Sequence, residues 1–277
     1  MNTTLFTCFG SADGGGNPAL VIEDGPAGLD QRLQLARERA LTCVFIDAAS
    51  APGVAATLDF VYPHTRSPLC LHATLAAAQV LFARHGDDAP LTVTTAMRGQ
   101  ELALSRDGEG AEEAVFVRLA RQAVPQVEAD EDLARRLLAA PDLRLASTPV
   151  IASVGSPKLL LEVADVDTLY ALAPNLDAIA AWGREQGVSG CYVWCRLGAG
   201  GGAREYEGRN FNHLDPSLED SATGVAAGAL TIALGHGLTL RQGRGIKRAC
   251  IIRTALDGEA VLVGGRATLA RQEPSAC

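Results

Sequence analysis

Alternating apolar positions cut the chain into short strands, and two stretches of another texture interrupt them. Runs at 3–9 (TTLFTCF) and 19–23 predict strands around a Gly-rich turn, SADGGGNPA. Asp30 is read as the N-cap of a helix over 31–40, with Leu33, Ala36 and Ala40 inward and Gln31, Gln34 and Glu38 in water. Strands are expected at 42–47 and 57–62, a helix from His72 to about Arg84, and β-prone runs at 91–95, 101–105 and 114–119. The polar segment 121–132, RQAVPQVEADED, carries Pro125 and reads as a link between lobes. Beyond it the pattern predicts a helix over 130–139, strands near 144–152 and 158–163, and helices near 166–172 and 175–185. Strands near 189–196 and 205–211, a helix from about Ala222 to Gly235, and strands near 238–242, 248–254 and 259–263 follow. The AGGGA run at 199–203 reads as a flexible loop.

The two exceptional stretches read almost alike: LCLHATLAAAQVL (69–81) and LEDSATGVAAGAL (218–230). Overlaid, Ala73-Thr74 meets Ala222-Thr223, and Cys70 to His72 lies over Glu219, Asp220 and Ser221. Each passes from ionisable side chains into a helix of small apolar residues, a composition suited to burial on every side. A device built twice predicts an α+β chain of two similar lobes, 1–122 and 123–277, each a set of mixed strands around one apolar helix. The last strand is a candidate to return to the N-terminal lobe.

Composition narrows the partners. A formal charge of −8 and a pI near 5.2, with no basic stripe, argue against nucleic acid. No apolar run approaches the roughly 18–20 residues that span a bilayer, and MNTTLFTCFG has no signal-peptide pattern. Seven irregularly spaced cysteines suit free thiols in a reducing cytosol, so a cytoplasmic protein is expected. Cys191 and Cys195, in the run CYVWC, fall on one face of a strand and read as buried small apolar residues. Neither a metal-ligand spacing nor a dinucleotide fingerprint between strand and helix occurs.

The starts of the two small-residue helices carry the candidate chemistry. Unpaired N–H groups and the macrodipole, about half a positive charge, favour an anion there. A small carboxylate held by two such ends would lie beside the polar residues that precede each helix. Cys70, near a helix N-terminus, has its thiolate favoured. His72 is placed to orient a substrate or relay a proton, or else to cap the helix. Of Glu219 and Asp220, one is expected to cap the helix while the other reaches the ligand. Asn17, with Gly16, lies in GGGNPA, and Ser153, Gly155 and Ser156 in SVGSPK, each a turn offering donors. His213, seven residues ahead of Asp220, is a further candidate, with Thr223 and Gly224 at the second helix start. His64, His85 and His236 read as surface or capping residues.

GGNPA (15–19), Cys-x-His-Ala-Thr-Leu-Ala (70–76), SVGSPK (153–158), RNFN (209–212) and EDSATGVAAGAL (219–230) together resemble the PhzF (phenazine biosynthesis-like) family. That family lies within the diaminopimelate epimerase and proline racemase fold group, and Gln242-Gly243 adds a weaker match. The resemblance implies two barrel-like lobes, each wrapped round a central helix, with the site between them. It also implies cofactor-independent isomerisation or epimerisation in a homodimer. His72 resembles the histidine of the family's GHAT motif, Asp220 the aspartate of EDPATG, and Asn17 the asparagine of GNPA. Cys70 falls where epimerases and racemases of the wider group keep one thiol; their second would fall near Thr223.

Departures qualify the chemistry. The family's proton-carrying glutamate belongs in a motif like NLSETAFV, where this chain reads RALTCVFI (39–46) and offers Thr42 or Cys43. Leu71 replaces a glycine, Ser221 a proline, and His213 another proline. The expected activity is proton transfer at carbon in a small amino or imino acid, with Asp220 as one acid/base and Cys70 or His72 as the other. Elimination of a β-hydroxyl by the same carbanion, or ligand binding without catalysis, stand as the alternatives.

Overall fold

A computed structural model of the 277-residue chain describes all residues except 12–13, 87–88, 111–112, 199–203, 213–218 and 271–277. Two compact units emerge: Met1–Val117 with the residues from Gly264 onward, and Arg118–Val263.

In the first unit, β1 (Asn2–Cys8), β2 (Asn17–Glu23), β3 (Thr42–Asp47), β4 (Ala56–Val61), β6 (Leu91–Thr95) and β7 (Glu101–Asp107) are neighbours in that order. The pairings alternate: β1–β2 antiparallel, β2–β3 parallel, β3–β4 antiparallel, β4–β6 parallel and β6–β7 antiparallel. Parallel neighbours need a crossover. Helix α1 (Leu29–Arg39) supplies the first and α2 (Leu71–His85) the second. The short β5 (Arg66–Ser67) pairs with β4, β8 (Ala114–Ala120) neighbours β7, and β16 (Ala267–Leu269) flanks β1.

The second unit repeats the scheme with β9 (Val150–Ala152), β10 (Lys158–Glu162), β11 (Cys191–Arg196), β12 (Glu205–Phe211), β13 (Thr239–Gln242) and β14 (Cys250–Asp257). Again the pairings run antiparallel, parallel, antiparallel, parallel, antiparallel. Helices α4 (Val166–Ala171) and α5 (Leu176–Gln186) make the first crossover, and α6 (Gly224–Leu234) the second. Helix α3 (Glu131–Leu137) precedes β9, while β15 (Ala260–Gly265) neighbours β14 and leads back towards β16. The duplicated segments are therefore the second crossover helix of each unit.

Side-chain alternation explains the layering. In the second unit Leu159, Leu161, Cys191, Val193, Cys195 and Phe211 face one way and pack with α3, α4 and α5 residues such as Leu133, Leu169 and Ile179. The opposite face, which includes Lys158, Leu160, Tyr192, Asn210 and Gln242, turns to α6. Cys191 and Cys195 are thus core residues, as their spacing suggests. In the first unit Leu20, Ile22, Cys43, Phe45 and Val61 pack beneath α1, and α2 lies on the other face. Both central helices are sheathed: seven of the eight residues Leu71–Ala78 are apolar or His and all eight are buried, as are Ala226–Thr231. Their buried hydroxyls are satisfied locally, Thr74 by the Cys70 carbonyl and Thr231 by that of Ala227.

Several local expectations are corrected. Helix α1 starts at Leu29 with Gly28 as N-cap, so Asp30 lies inside the first turn, where its charge suits the macrodipole. Ala40 is exposed and left-handed (φ 50°) rather than inward. The strand expected over 144–152 shrinks to Val150–Ala152. The Glu131 carboxylate takes the Leu145 N–H, and Ala146 bonds the Glu162 carbonyl, which leaves no ladder to extend. The loop reading of 199–203 falls outside the described residues. No helix among the described residues is long and apolar enough to cross a membrane.

Candidate functional site

Each unit places ionisable groups at the start of its central helix. In the first, Cys70 is the N-cap of α2 and adopts extended backbone, while His72 sits within the first turn and is no cap. Both are buried. The Cys70 Sγ lies 3.3 Å from His72 Nδ1, and the Tyr62 hydroxyl donates to the same sulfur at 3.1 Å. Burial lowers the His72 pKa to about 4, so the imidazole is neutral at physiological pH. A neutral ring beside the thiol is a hydrogen-bond partner and brings no positive charge to stabilise a thiolate.

Asn17 opens β2 and Gly16 precedes it, where the Gly-rich turn closes. Gly16 has φ +99°, and a Cβ there would stand 2.4 Å from the Thr7 side chain, so only glycine fits. Asn17 is half-buried and pairs with Cys8. Thr42, half-buried, and Cys43, fully buried, begin β3. Burial pushes the Cys43 thiol up to about 11, and its sulfur bonds the Leu41 carbonyl. Cys43 faces the α1 core, so it is no substitute for an ionised carboxylate.

In the second unit Asp220 is held by two donors to one oxygen: Asn210 Nδ2 at 2.7 Å and Thr223 Oγ1 at 3.1 Å, both to Oδ2. Gln242 braces this arrangement. Its Nε2 donates to the Asp220 carbonyl (2.8 Å) and to Thr223 Oγ1 (3.0 Å), and its Oε1 accepts from the Thr223 N–H (3.2 Å) and the Tyr192 hydroxyl (3.0 Å). Tyr192 reaches Gln242 across Gly208, where a Cβ would stand 2.3 Å from the phenol oxygen. Gly243 (φ +85°) sits so close to the Ser221 and Arg248 carbonyls that a Cβ there would stand 2.7 and 2.2 Å from their oxygens. Gln242-Gly243, the weaker of the sequence matches, is therefore the clamp of the Asp220 turn.

Thr223, not Asp220, is the N-cap of α6, and Gly224 is the first helical residue. Cys70 and Thr223 hold the same cap position in the two units. The second helix thus begins four residues later than the sequence overlay places it, about one helical turn. Glu219 is structural: Arg209 binds its carboxylate (Nη2 to Oε2, 2.9 Å), and the same guanidinium donates to the Leu169 and Leu172 carbonyls. Ser153 is buried, its hydroxyl turned to Gln122 (3.4 Å) and to the Gly155 N–H (3.3 Å). Gly155 and Ser156 are half-buried in the turn before β10. His213 lies outside the described residues. His64 and His85 are exposed, and His236 stacks on Tyr206.

The sequence reading overlooked Tyr62, Tyr192, Asn210 and Gln242, which support Cys70 and Asp220. RNFN and the QG pair were the available signals for two of them. No group of three or more His, Cys, Asp or Glu side chains among the described residues is arranged to hold a metal ion.

Comparison with known proteins agrees with this architecture. A PhzF-family phenazine biosynthesis protein from Bacillus anthracis has a similar structure (TM-score 0.79, 18% identity, 98% of each chain covered). So does a predicted epimerase from Pseudomonas aeruginosa (TM-score 0.79, 23% identity, 99% of each chain). A hydroxyproline epimerase from Agrobacterium vitis with bound trans-4-hydroxy-L-proline is more distant (TM-score 0.60, 10% identity, 97% of this chain and 90% of that one). No curated protein matches the sequence. The fold is that of the proline racemase and diaminopimelate epimerase group. The family model described as phenazine biosynthesis-like protein matches residues 6–273, and the chain belongs to this PhzC-PhzF family.

Proposed function

We propose that this protein is an isomerase or epimerase that moves a proton at carbon in a small carboxylate, an amino or imino acid, without a cofactor. The observation that carries the reading is the Asp220 carboxylate, held by Asn210 and Thr223 at the start of one central helix. Its counterpart is the Cys70–His72 pair at the start of the other. The bound hydroxyproline of the A. vitis epimerase supports the substrate class.

Asp220 removes the proton α to the substrate carboxylate, and the electron pair moves into that carboxylate. The first N–H groups of the two helices and their macrodipoles stabilise the charge that collects there. Cys70 returns a proton from its thiol, and His72 and Tyr62 govern its protonation. Asn17 and the turn at Ser156 supply further hydrogen bonds to the substrate. Reprotonation at the same carbon gives an epimer; at a conjugated carbon it gives a shifted double bond.

A second reading follows from Thr223, a hydroxyl bonded to Asp220 at the cap position where the other helix has a thiol. With one thiol only, the carbanion of a β-hydroxy acid expels hydroxide, and the protein is a lyase. Incubation in deuterium oxide with a panel of amino, hydroxy and cyclic imino acids separates the readings. Deuterium at the α-carbon of recovered substrate or epimer supports isomerisation, and a keto or imino product supports elimination. Neither outcome across the panel defeats both.

A further inference from the structure

Of the 24 Lys and Arg side chains only two are lysines, Lys158 and Lys247, so a buried basic residue written as lysine stands out. Lys247 is exposed, whereas Lys158 is 2% exposed. Lys158 opens β10 straight after the turn of SVGSP, and its position can be traced through the sheet. Leu159 pairs with Cys191 and Cys191 with Phe211, so Lys158 lies just beyond that row, at the end where the chain leaves β12 towards α6. Its side chain shares the α6-facing side with Leu160, Tyr192 and Asn210. Asn210 is the residue that holds Asp220. The matching place in the first unit is Ala19, which follows Gly16-Asn17-Pro18 as Lys158 follows Gly155-Ser156-Pro157. The ammonium is thus an addition to a repeated frame, and the second unit alone carries it.

We propose that Lys158 is the buried countercharge of Asp220, a positioning residue that keeps the carboxylate ionised before it accepts a proton from carbon. The catalytic part of this assignment rests on the function proposed above for Asp220. The ammonium donates to the Ser189 carbonyl, which fixes its place. The elements packed on β10 bring few competing charges. Helix α6 and strand β9 contain no titratable side chain, and β11 contributes Cys191, Tyr192, Cys195 and Arg196. Arg196 is bound to Glu162 at the far end of its strand. Burial pushes the Lys158 pKa down to about 8, and Asp220 and then Cys191 pull it back up. Tyr192 and Glu219 are titratable neighbours of Asp220, the latter bound by Arg209. Arginine would not serve equally as a tunable partner, since it keeps its proton at all accessible pH, whereas a buried lysine shifts readily.

Two titrations test the assignment, and neither needs turnover. The Asp220 carboxyl is followed by ¹³C NMR in full-length protein, its signal identified by loss in Asp220→Asn. In Lys158→Met its midpoint is expected to rise by about one pH unit, the usual effect of removing a nearby opposite charge. In Lys158→Arg it stays close to wild type. The reciprocal measurement uses ¹³C-lysine-labelled protein, whose two signals are those of Lys158 and the exposed reference Lys247. In Asp220→Asn the Lys158 midpoint is expected to fall by about one pH unit, because coupled sites shift each other.

A role confined to tethering Ser189 would lower the thermal midpoint of Lys158→Met and leave both titrations unmoved, and that result overturns the proposal. Should Lys158→Met not fold, the lysine titration in Asp220→Asn decides the matter alone. Coupled titrations without any deuterium exchange would sink the isomerase reading and leave the charge coupling of Lys158 and Asp220 standing.

Discussion

A buried neutral histidine should leave a signature in how stability depends on pH. His72 is 7% exposed, and burial lowers its pKa from an ordinary 6.5 to about 4. In the unfolded chain the ring takes a proton near 6.5; in the folded chain it resists until about 4. Between these values the unfolded state binds more protons, so acid favours unfolding. The contribution is fully present above pH 6.5, declines as pH falls and is exhausted below about 4. At about 1.4 kcal/mol per pH unit it amounts to about 3 kcal/mol, a large part of the 5–15 kcal/mol that typically holds a domain folded. His72→Gln replaces the ring with an amide that does not titrate. Urea unfolding of both proteins, followed by circular dichroism in half-unit steps from about pH 4 to 7.5, gives two curves. Carboxylate contributions are common to both, and the difference isolates the histidine. The wild type should lose about 3 kcal/mol more than the variant across this range. Parallel curves would refute the burial argument, and with it the claim that His72 meets Cys70 as a neutral base.

Other consequences are more local. Gly208→Ala drives a methyl into the Tyr192 phenol, breaks its bond to Gln242 and should cost about 1–3 kcal/mol in thermal or urea unfolding. A stability equal to wild type would show that Tyr192 does not brace the Asp220 turn. The buried Arg32 donates to the Pro26 carbonyl, lies over the Phe45 ring and binds Asp47 and Asp59, and Asp59 is itself 3% exposed. Arg32→Met leaves Asp59 with Arg66 as its one charged partner among the described residues (2.6 Å) and should cost about 1–3 kcal/mol. Arg118→Met, at the half-exposed pair with Asp257, should cost under about 1 kcal/mol, and equal losses would contradict the distinction.

The central helices were legible because their composition is unusual. Ala- and Gly-rich runs without polar relief fit only a helix enclosed by strands, and finding two of them announced the repeat. The cap position was less legible. Matching Ala-Thr steps aligned Asp220 with Leu71 rather than showing that Thr223 takes the place of Cys70, because letters can be overlaid without fixing where a helix starts. LRLA at 143–146 has the alternation of a strand, yet its Leu145 N–H goes to the Glu131 side chain, a tertiary capture that no local pattern reveals. Asp220, His72 and Cys70 could be nominated because each stands beside a helix start. Asn210, Tyr192, Gln242 and Lys158 could not, since sheet register brings them to one face from four separate strands. Only the resemblance pointed to Asn210, Gln242 and Lys158, through RNFN, QG and the last residue of SVGSPK, and it gave them no role.

The central claim is that Asp220 moves a proton at carbon, and the α-proton of the substrate itself reports it. With the first panel member that acquires deuterium, the wild type and Asp220→Asn should be compared at equal substrate occupancy, read by mass spectrometry. A positioned acid or base is worth about 10²–10⁴ in rate, so the variant should label slower by that factor while it still binds. Labelling by Asp220→Asn at the wild-type rate would contradict the account.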